Sequence, residues 1–319
     1  MSAGETIGVD LGGTKMAVGV LDGTEVLWRK SEASTGQSED ELVELLVREV
    51  GEAREARPDV EAVGLGIPAT IDHDAGVAVS AVNLPLSDVP IREVAEERLG
   101  LPVFVDNDAN VAALAEYLFG AAQGKPNTVM LTVGTGIGGG LILNGEVFRG
   151  ATGAGAELGH TVIQADGPPC QGNCPNHGCV EALASGTALG REGRAVAEST
   201  PDSALGRALA AGEEIDGRAV TEAAVAGDET AIAVFDLIGG RLGVACSSFA
   251  NIFQPDAIVV GGGVIAAGDL LLEPARRELR RRALNPMNAT PILAATLGND
   301  AGMIGAAAMA RTELERAEG

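Results

Sequence analysis

Positive charge is scarce in this sequence. It has 22 lysines and arginines against 45 aspartates and glutamates, a formal net charge of −23 at pH 7. A chain so short of basic side chains can neutralise few backbone phosphates, which excludes DNA and RNA as main partners. An anionic membrane surface is disfavoured for the same reason. Long apolar runs are also missing, because glycine or a charged residue breaks each stretch before membrane-spanning length. The first residues are short and polar, unlike a secretory leader, so the expectation is a cytoplasmic protein. Cysteine is down to four residues, and in a reducing compartment the three that cluster point to a metal before a disulfide.

What remains is 46% hydrophobic and 21% charged over 319 residues, a soluble folded chain with room for two domains or for one large domain with a sizeable core. Residues 6–11 form an apolar run ending in Asp10, followed by the tight turn Gly12-Gly13-Thr14 and a second strand over 15–21. Asp22-Gly23 is a hairpin turn into a third strand. Ser38-Glu39-Asp40-Glu41 reads as a capping box ahead of Leu42, Leu45, Leu46 and Val50 at helical spacing. A helix over 91–99 is closed by Gly100, and a strand leads into Asn107-Asp108.

The opening pattern then returns 122 positions later. Gly12 falls on Gly134, Leu21 on Leu143, Asp22 on Asn144 and Gly23 on Gly145, an internal duplication.

Glycine turns after buried strands let backbone N–H groups approach a phosphate. The run Asp10-Leu11-Gly12-Gly13-Thr14-Lys15 adds a carboxylate suited to a hydrated Mg²⁺. The run 132–138, with Gly134-Thr135-Gly136 at its centre, adds hydroxyls. Gly134, Gly136 and Gly139 also satisfy the dinucleotide-binding spacing, but a strand and hairpin follow where that motif requires a helix. A P-loop fails because Thr14 stands in place of its lysine. Asp108 stands at the start of a helix over 109–119, where local cap statistics favour an N-cap over a catalytic carboxylate.

His160, Cys170, Cys174 and Cys179 supply one nitrogen and three sulfur ligands, the set of a closed structural zinc site. Cys246 stands apart in an apolar stretch and reads as a small buried hydrophobe.

Together these motifs resemble the ROK family of sugar kinases and repressors over nearly the whole chain. The resemblance rests on the 10–15 turn, Asn107-Asp108-Ala109-Asn110, the 132–140 loop, the run 155–160, the cysteine segment ending in Glu181, and Val260-Gly261-Gly262-Gly263. It implies an α/β, actin-like, duplicated ribonuclease-H-like fold with ATP and sugar meeting in an interdomain cleft. The expected domains are 1–118 completed by 299–319, and 119–298. It further implies transfer of the γ-phosphate of ATP to a hexose, with the 6-hydroxyl of glucose as first expectation. Asp108 matches the general base; Asn107, Glu157, His160 and Glu181 match sugar ligands, and Asn83 joins them. Asp10 matches the carboxylate that organises Mg²⁺, and Gly261-Gly262-Gly263 the grip on the nucleoside. The family's cysteine spacing is usually shorter by two residues between the first two ligands, which makes Cys170 the odd member and His177 a substitute. A homo-oligomer, dimer or tetramer, is also implied.

N-acetylmannosamine kinase and fructokinase activities stay open, as does polyphosphate as donor. A repressor would carry a helix-turn-helix ahead of the first turn, and Asp10 is expected to leave no room for one. A sugar-binding protein without catalysis is disfavoured because Asp10 and Asp108 are both present.

Overall fold

The computed structural model describes residues 4–81 and 84–318. The chain forms two compact units, one of Met1–Gly124, Gly140–Ala156 and Leu297–Gly319, the other of Lys125–Gly139 and Glu157–Thr296. This differs from the boundary expected at residue 118, because Gly140–Ala156 belongs with the first unit. Close packing explains the assignment. A Cβ on Gly140 would lie 2.6 Å from the Ala109 carbonyl oxygen, and Arg149 is ion-paired with Asp106.

The first unit opens with β1 (Thr6–Leu11), β2 (Lys15–Asp22), β3 (Glu25–Ala33), α1 (Glu39–Ala56) and β4 (Ala62–Ile67). Then come β5 (Ala69–Asp72), β6 (Val77–Ala81), β7 (Ser87–Val89), α2 (Ile91–Leu99), β8 (Val103–Asn107) and α3 (Asp108–Phe119). Its main sheet has the order β3-β2-β1-β4-β8. The strands β1, β4 and β8 are parallel, and β2 and β3 run antiparallel as a hairpin extension. A separate antiparallel sheet joins β5, β6 and β7.

Alternation along the parallel strands decides how this sheet is covered. Ile7, Val9, Val63 and Leu65 share one apolar cluster with Leu42, Leu45, Leu46 and Val50 of α1. The intervening Gly8 and Gly64 let a helix approach backbone to backbone. A Cβ on Gly64 would fall 1.8 Å from the Ala306 carbonyl oxygen. That helix is the last of the chain, Ala301–Glu318, and it is rich in alanine because larger side chains would hold it off the strands. The expected capping box is present on α1, and Gly100 closes α2 in the left-handed conformation.

The chain continues with β9 (Thr128–Val133), β10 (Ile137–Leu143), β11 (Glu146–Val147), α4 (Val180–Ala184), α5 (Gly186–Ser199), α6 (Ala204–Ala210) and α7 (Gly217–Val225). It ends with α8 (Glu229–Phe253), β12 (Ala257–Gly261), α9 (Asp269–Arg282), β13 (Ile292–Ala294) and α10 (Ala301–Glu318). The second main sheet has the order β11-β10-β9-β12-β13, with β9, β12 and β13 parallel. The second unit is mostly helical around α8, which touches α4, α5, α7 and α9.

One apolar stretch is longer than composition alone suggests. Helix α8 is long and apolar enough to cross a membrane by length and composition, and 56% of that stretch is buried inside the protein. Cys246, in this helix, is fully buried, as expected of a small hydrophobe.

Candidate active site

In the first unit the candidate groups lie at the carboxyl ends of parallel strands, where ligands bind in open α/β sheets. Asp10 is the penultimate residue of β1 and pairs across to Gly66 of β4; Asn107 ends β8 and pairs with Ile67. Gly66 thus lies between the two, and a Cβ there would sit 3.7 Å from the Asp108 Cα and 2.6 Å from Val111.

Burial, then the like charge of Asp108, raises the Asp10 carboxyl from 3.8 to about 6, and Lys15 only partly offsets them. Two carboxylates close enough to repel form a site that favours a cation. The Asp10 carboxylate also faces the first turn of α10, where a Cβ on Gly302 would come within 2.6 Å of it.

The helix cap falls one residue earlier than the sequence suggested. Asn107 is the N-cap of α3, its Oδ1 accepting from the Ala109 and Asn110 amides at 2.9 and 3.3 Å. Its Nδ2 donates to the Ala69 carbonyl at 3.2 Å, which leaves one amide hydrogen for a ligand. Asp108 is the first helical residue, and the Ala109 amide donates to its Oδ1 at 2.9 Å.

Sequence reasoning passed over the residues behind this pair. Asp106, 3% exposed, accepts from Arg149 Nε at 2.7 Å, from Asn110 Nδ2 at 2.8 Å and from the Asn107 amide at 2.7 Å. The signal available was an aspartate inside an apolar strand with an asparagine four residues on, a spacing that meets across a strand–helix junction.

The first glycine turn is closed by the Gly12 amide donating to the Lys15 carbonyl at 2.9 Å. Ser34 Oγ, also buried, donates to the Gly12 carbonyl at 2.6 Å.

In the second unit the turn after β9 has a parallel construction. The Gly134 amide donates to the Gly136 carbonyl at 2.9 Å, and Thr187 Oγ1 donates to the Thr135 carbonyl at 2.9 Å. The amino end of α5 reaches this turn, the Gly186 amide donating to the Gly134 carbonyl at 2.7 Å. Gly262, at φ +85°, lies against the end of β9, where any Cβ would be 2.5 Å from the Val133 carbonyl oxygen. Gly261 ends β12, and Gly263 opens a short 3-10 turn. The turns after β9 and β12 are therefore neighbours.

His160, Cys170, Cys174 and Cys179 come together, with one ligand atom from each within 4.8 Å of the others. The altered spacing is absorbed by a turn at Gly172, at φ +59°, and Cys170 stays in the set. His177 is outside the set; its Nδ1 is 3.3 Å from the Gly167 carbonyl oxygen. Burial pushes the Cys170 and Cys179 thiols up, so a cation is what would hold these sulfurs as thiolates together. The donor set fits zinc.

His160 turns Nδ1 to the Cys170 sulfur, at 3.5 Å, and its Nε2 lies 3.9 Å from Glu157 Oε2. Glu181 Oε2 accepts from the Ile137 amide at 2.9 Å, and its carboxylate occupies the space that a side chain at Gly136 would need. Val82-Asn83-Leu84 supplied one further expected ligand, Asn83, which lies outside the described residues.

These features define a fold and a family. The sequence profile of the ROK family matches residues 6–313. A ROK family glucokinase from Streptomyces griseus, solved in complex with glucose and AMPPNP, is 38% identical, with a TM-score of 0.85 over 97% of this chain and 100% of that one. The fold is thus the actin-like fold of the ROK sugar kinases, and this chain belongs to the ROK family. The glucokinase of Streptomyces coelicolor is 37% identical over 97% of this chain and 98% of that protein. A putative xylose repressor of Caldicellulosiruptor is 31% identical over 88% of this chain and 71% of that protein.

Proposed function

We propose that this chain is an ATP-dependent hexokinase that moves the γ-phosphate of ATP to the 6-hydroxyl of glucose. The observation that carries this reading is the carboxylate pair Asp10 and Asp108, close enough for one to raise the other, at the carboxyl ends of parallel strands. The two glucokinases support glucose as the acceptor.

Phosphoryl transfer needs positioning and charge neutralisation more than covalent chemistry. Asp108 accepts the proton of the attacking hydroxyl. Its neighbour Asn107 offers its remaining amide hydrogen to the sugar. Asp10 would hold Mg²⁺, which when bound would neutralise phosphate charge. The turns at Gly12-Gly13-Thr14-Lys15 and Gly134-Thr135-Gly136 present amides to the phosphates, and Gly261-Gly262-Gly263 takes the nucleoside side. Glu157 and Glu181, with Asn83, bind the sugar hydroxyls as partners suited to bidentate contact, and His160 binds through one ring nitrogen. His160, Cys170, Cys174 and Cys179 would hold zinc as a rigid anchor with no open position. With Nδ1 turned to the sulfurs, His160 keeps Nε2 for Glu157 and the sugar. The enzyme works in the cytoplasm as a homo-oligomer.

A panel of glucose, N-acetylmannosamine and fructose, with ATP and Mg²⁺, tests the assignment. Glucose is expected to be phosphorylated fastest, and EDTA to stop the reaction. Turnover with polyphosphate but none with ATP would overturn the donor, and a faster rate with another sugar would overturn the acceptor.

A further inference from the structure

Within the second unit, the cysteine loop and the turn after β9 are tied together by side chains. One tie is Glu181, two residues beyond Cys179, through the Ile137 amide. The other is Gln171, which lies in the three-residue span between Cys170 and Cys174. Its Nε2 is 3.1 Å from Ser185 Oγ and 3.5 Å from the Thr135 carbonyl oxygen. Ser185 is fully buried and is the N-cap of α5, its Oγ accepting from the Ala188 amide at 3.2 Å. The same helix start holds Gly134 and Thr135 through Gly186 and Thr187. One side-chain amide therefore reaches both the turn and the cap that supports it.

The span around Gln171 has little freedom once the cysteines at its two ends share an ion, since three residues cannot reorient without moving one sulfur. The amide of Gln171 is then fixed from behind. With the sulfurs released, the span regains backbone freedom, and ordering it again carries an entropic cost.

We propose that Gln171 is a positioning residue that couples metal loading of the cysteine loop to the affinity of the Gly134–Gly136 turn for nucleotide phosphate. The metal then acts on the donor side of the reaction through Gln171, beyond holding His160 for the sugar. This inference rests on the reading of that turn as a phosphate site.

The test is calorimetric binding of AMPPNP with Mg²⁺, and separately of glucose, to the purified full chain with its metal content measured. Gln171→Met keeps the length of the side chain and removes its donor. Nucleotide affinity is expected to fall about two- to tenfold, the worth of one ordinary hydrogen bond, with glucose affinity and metal content unchanged. Stripping the metal with a chelator should weaken nucleotide binding in the wild type. In Gln171→Met the further loss should be smaller than in the wild type, because only the Glu181 tie then remains for the metal to act through. A metal-loaded Gln171→Met protein that binds AMPPNP as the wild type does would overturn the proposal. So would equal loss for glucose and nucleotide, which marks a general folding role. Thr135→Glu separates the two readings. It should abolish AMPPNP binding if the turn holds phosphate, and unchanged binding in that variant would remove the phosphate site itself and the coupling with it.

Discussion

In the first repeat the glycine turn at Gly12–Thr14 follows a strand whose penultimate residue is Asp10; in the second, the turn at Gly134–Gly136 follows a strand ending in Val133. Each turn closes on its own backbone, and each has one carbonyl held by a hydroxyl, from Ser34 in one case and Thr187 in the other. Around the first turn the chain gathers the carboxylates Asp10 and Asp108. Around the second it gathers neutral donors and the start of α5, with one carboxylate, Glu181, spent on a backbone amide. The hairpin extension differs as well, β3 running nine residues and β11 two. The two turns share a backbone pattern and differ in what stands beside them, carboxylates at the first and mostly neutral donors at the second.

The largest expected break falls on the carboxylate side. Asp108→Asn keeps the side-chain size, and Asn107 rather than Asp108 caps α3, so folding should survive. Loss of a general base costs typically about 10²–10⁴ in rate. That loss should appear in kcat, with nucleotide binding and sugar KM little changed. A kcat within a few-fold of wild type in the folded variant would remove Asp108 from the chemistry.

Next comes the support behind it. Arg149→Met leaves the Asp106 carboxylate buried without its cation, a change that typically destabilises by about 3–5 kcal/mol. The double variant with Asp106→Asn should recover much of that stability, because no buried charge is then left alone. Urea unfolding of the four proteins in the cycle measures the coupling. Additive losses would show that the pair is two independent contacts.

Asp10 gives a smaller effect on stability, of opposite sign to its effect on function. Its carboxyl binds a proton more tightly in the folded protein, at about 6, than in an unfolded chain, at 3.8. The folded state is therefore favoured most below about pH 4 and loses stability as pH rises toward about 6, by on the order of 2–3 kcal/mol in all. Asp10→Asn should match the wild type near pH 4 and exceed it in thermal stability at pH 7, while Mg²⁺-dependent turnover is lost. In the wild type, more Mg²⁺ should move the acidic limb of activity to lower pH. Equal stability of wild type and variant at pH 7 would show that burial imposes no cost on Asp10.

Much of this was legible in the residues. The strand over 6–11, the capping box at Ser38 and the stop at Gly100 follow from local rules, because their causes lie within four residues of the effect. The metal set was legible from its count of ligands. The links that join elements were not. Arg149 and Asp106 are 43 positions apart, and neither local pattern requires the other. Gln171 reads as an ordinary polar loop residue until the turn beside Thr135 is seen. The Asn107-Asp108 pair misled by one position, since either residue caps well and only the strand register decides which is in place. The sheet of β5, β6 and β7 is not legible locally, because its strands are only three to five residues long.

The smallest effects come from the two hydroxyl braces, and they sharpen the comparison most. Ser34→Ala removes the donor to the Gly12 carbonyl, and Thr187→Val the donor to the Thr135 carbonyl, each worth about 0.5–1.5 kcal/mol. Thr187→Ser keeps its hydroxyl and should behave as wild type. If the first turn serves the cation, Ser34→Ala should raise the Mg²⁺ concentration needed for half-maximal rate and leave nucleotide KM unchanged at saturating Mg²⁺. If the second serves the phosphates directly, Thr187→Val should raise nucleotide KM even at saturating Mg²⁺. The Ser34 brace should have the larger effect of the two, because that side chain is 2% exposed and water cannot readily replace it, whereas Thr187 is exposed. Two variants with the same dependence on Mg²⁺ would mean that the turns share one role, and that the carboxylates beside the first do not divide the labour.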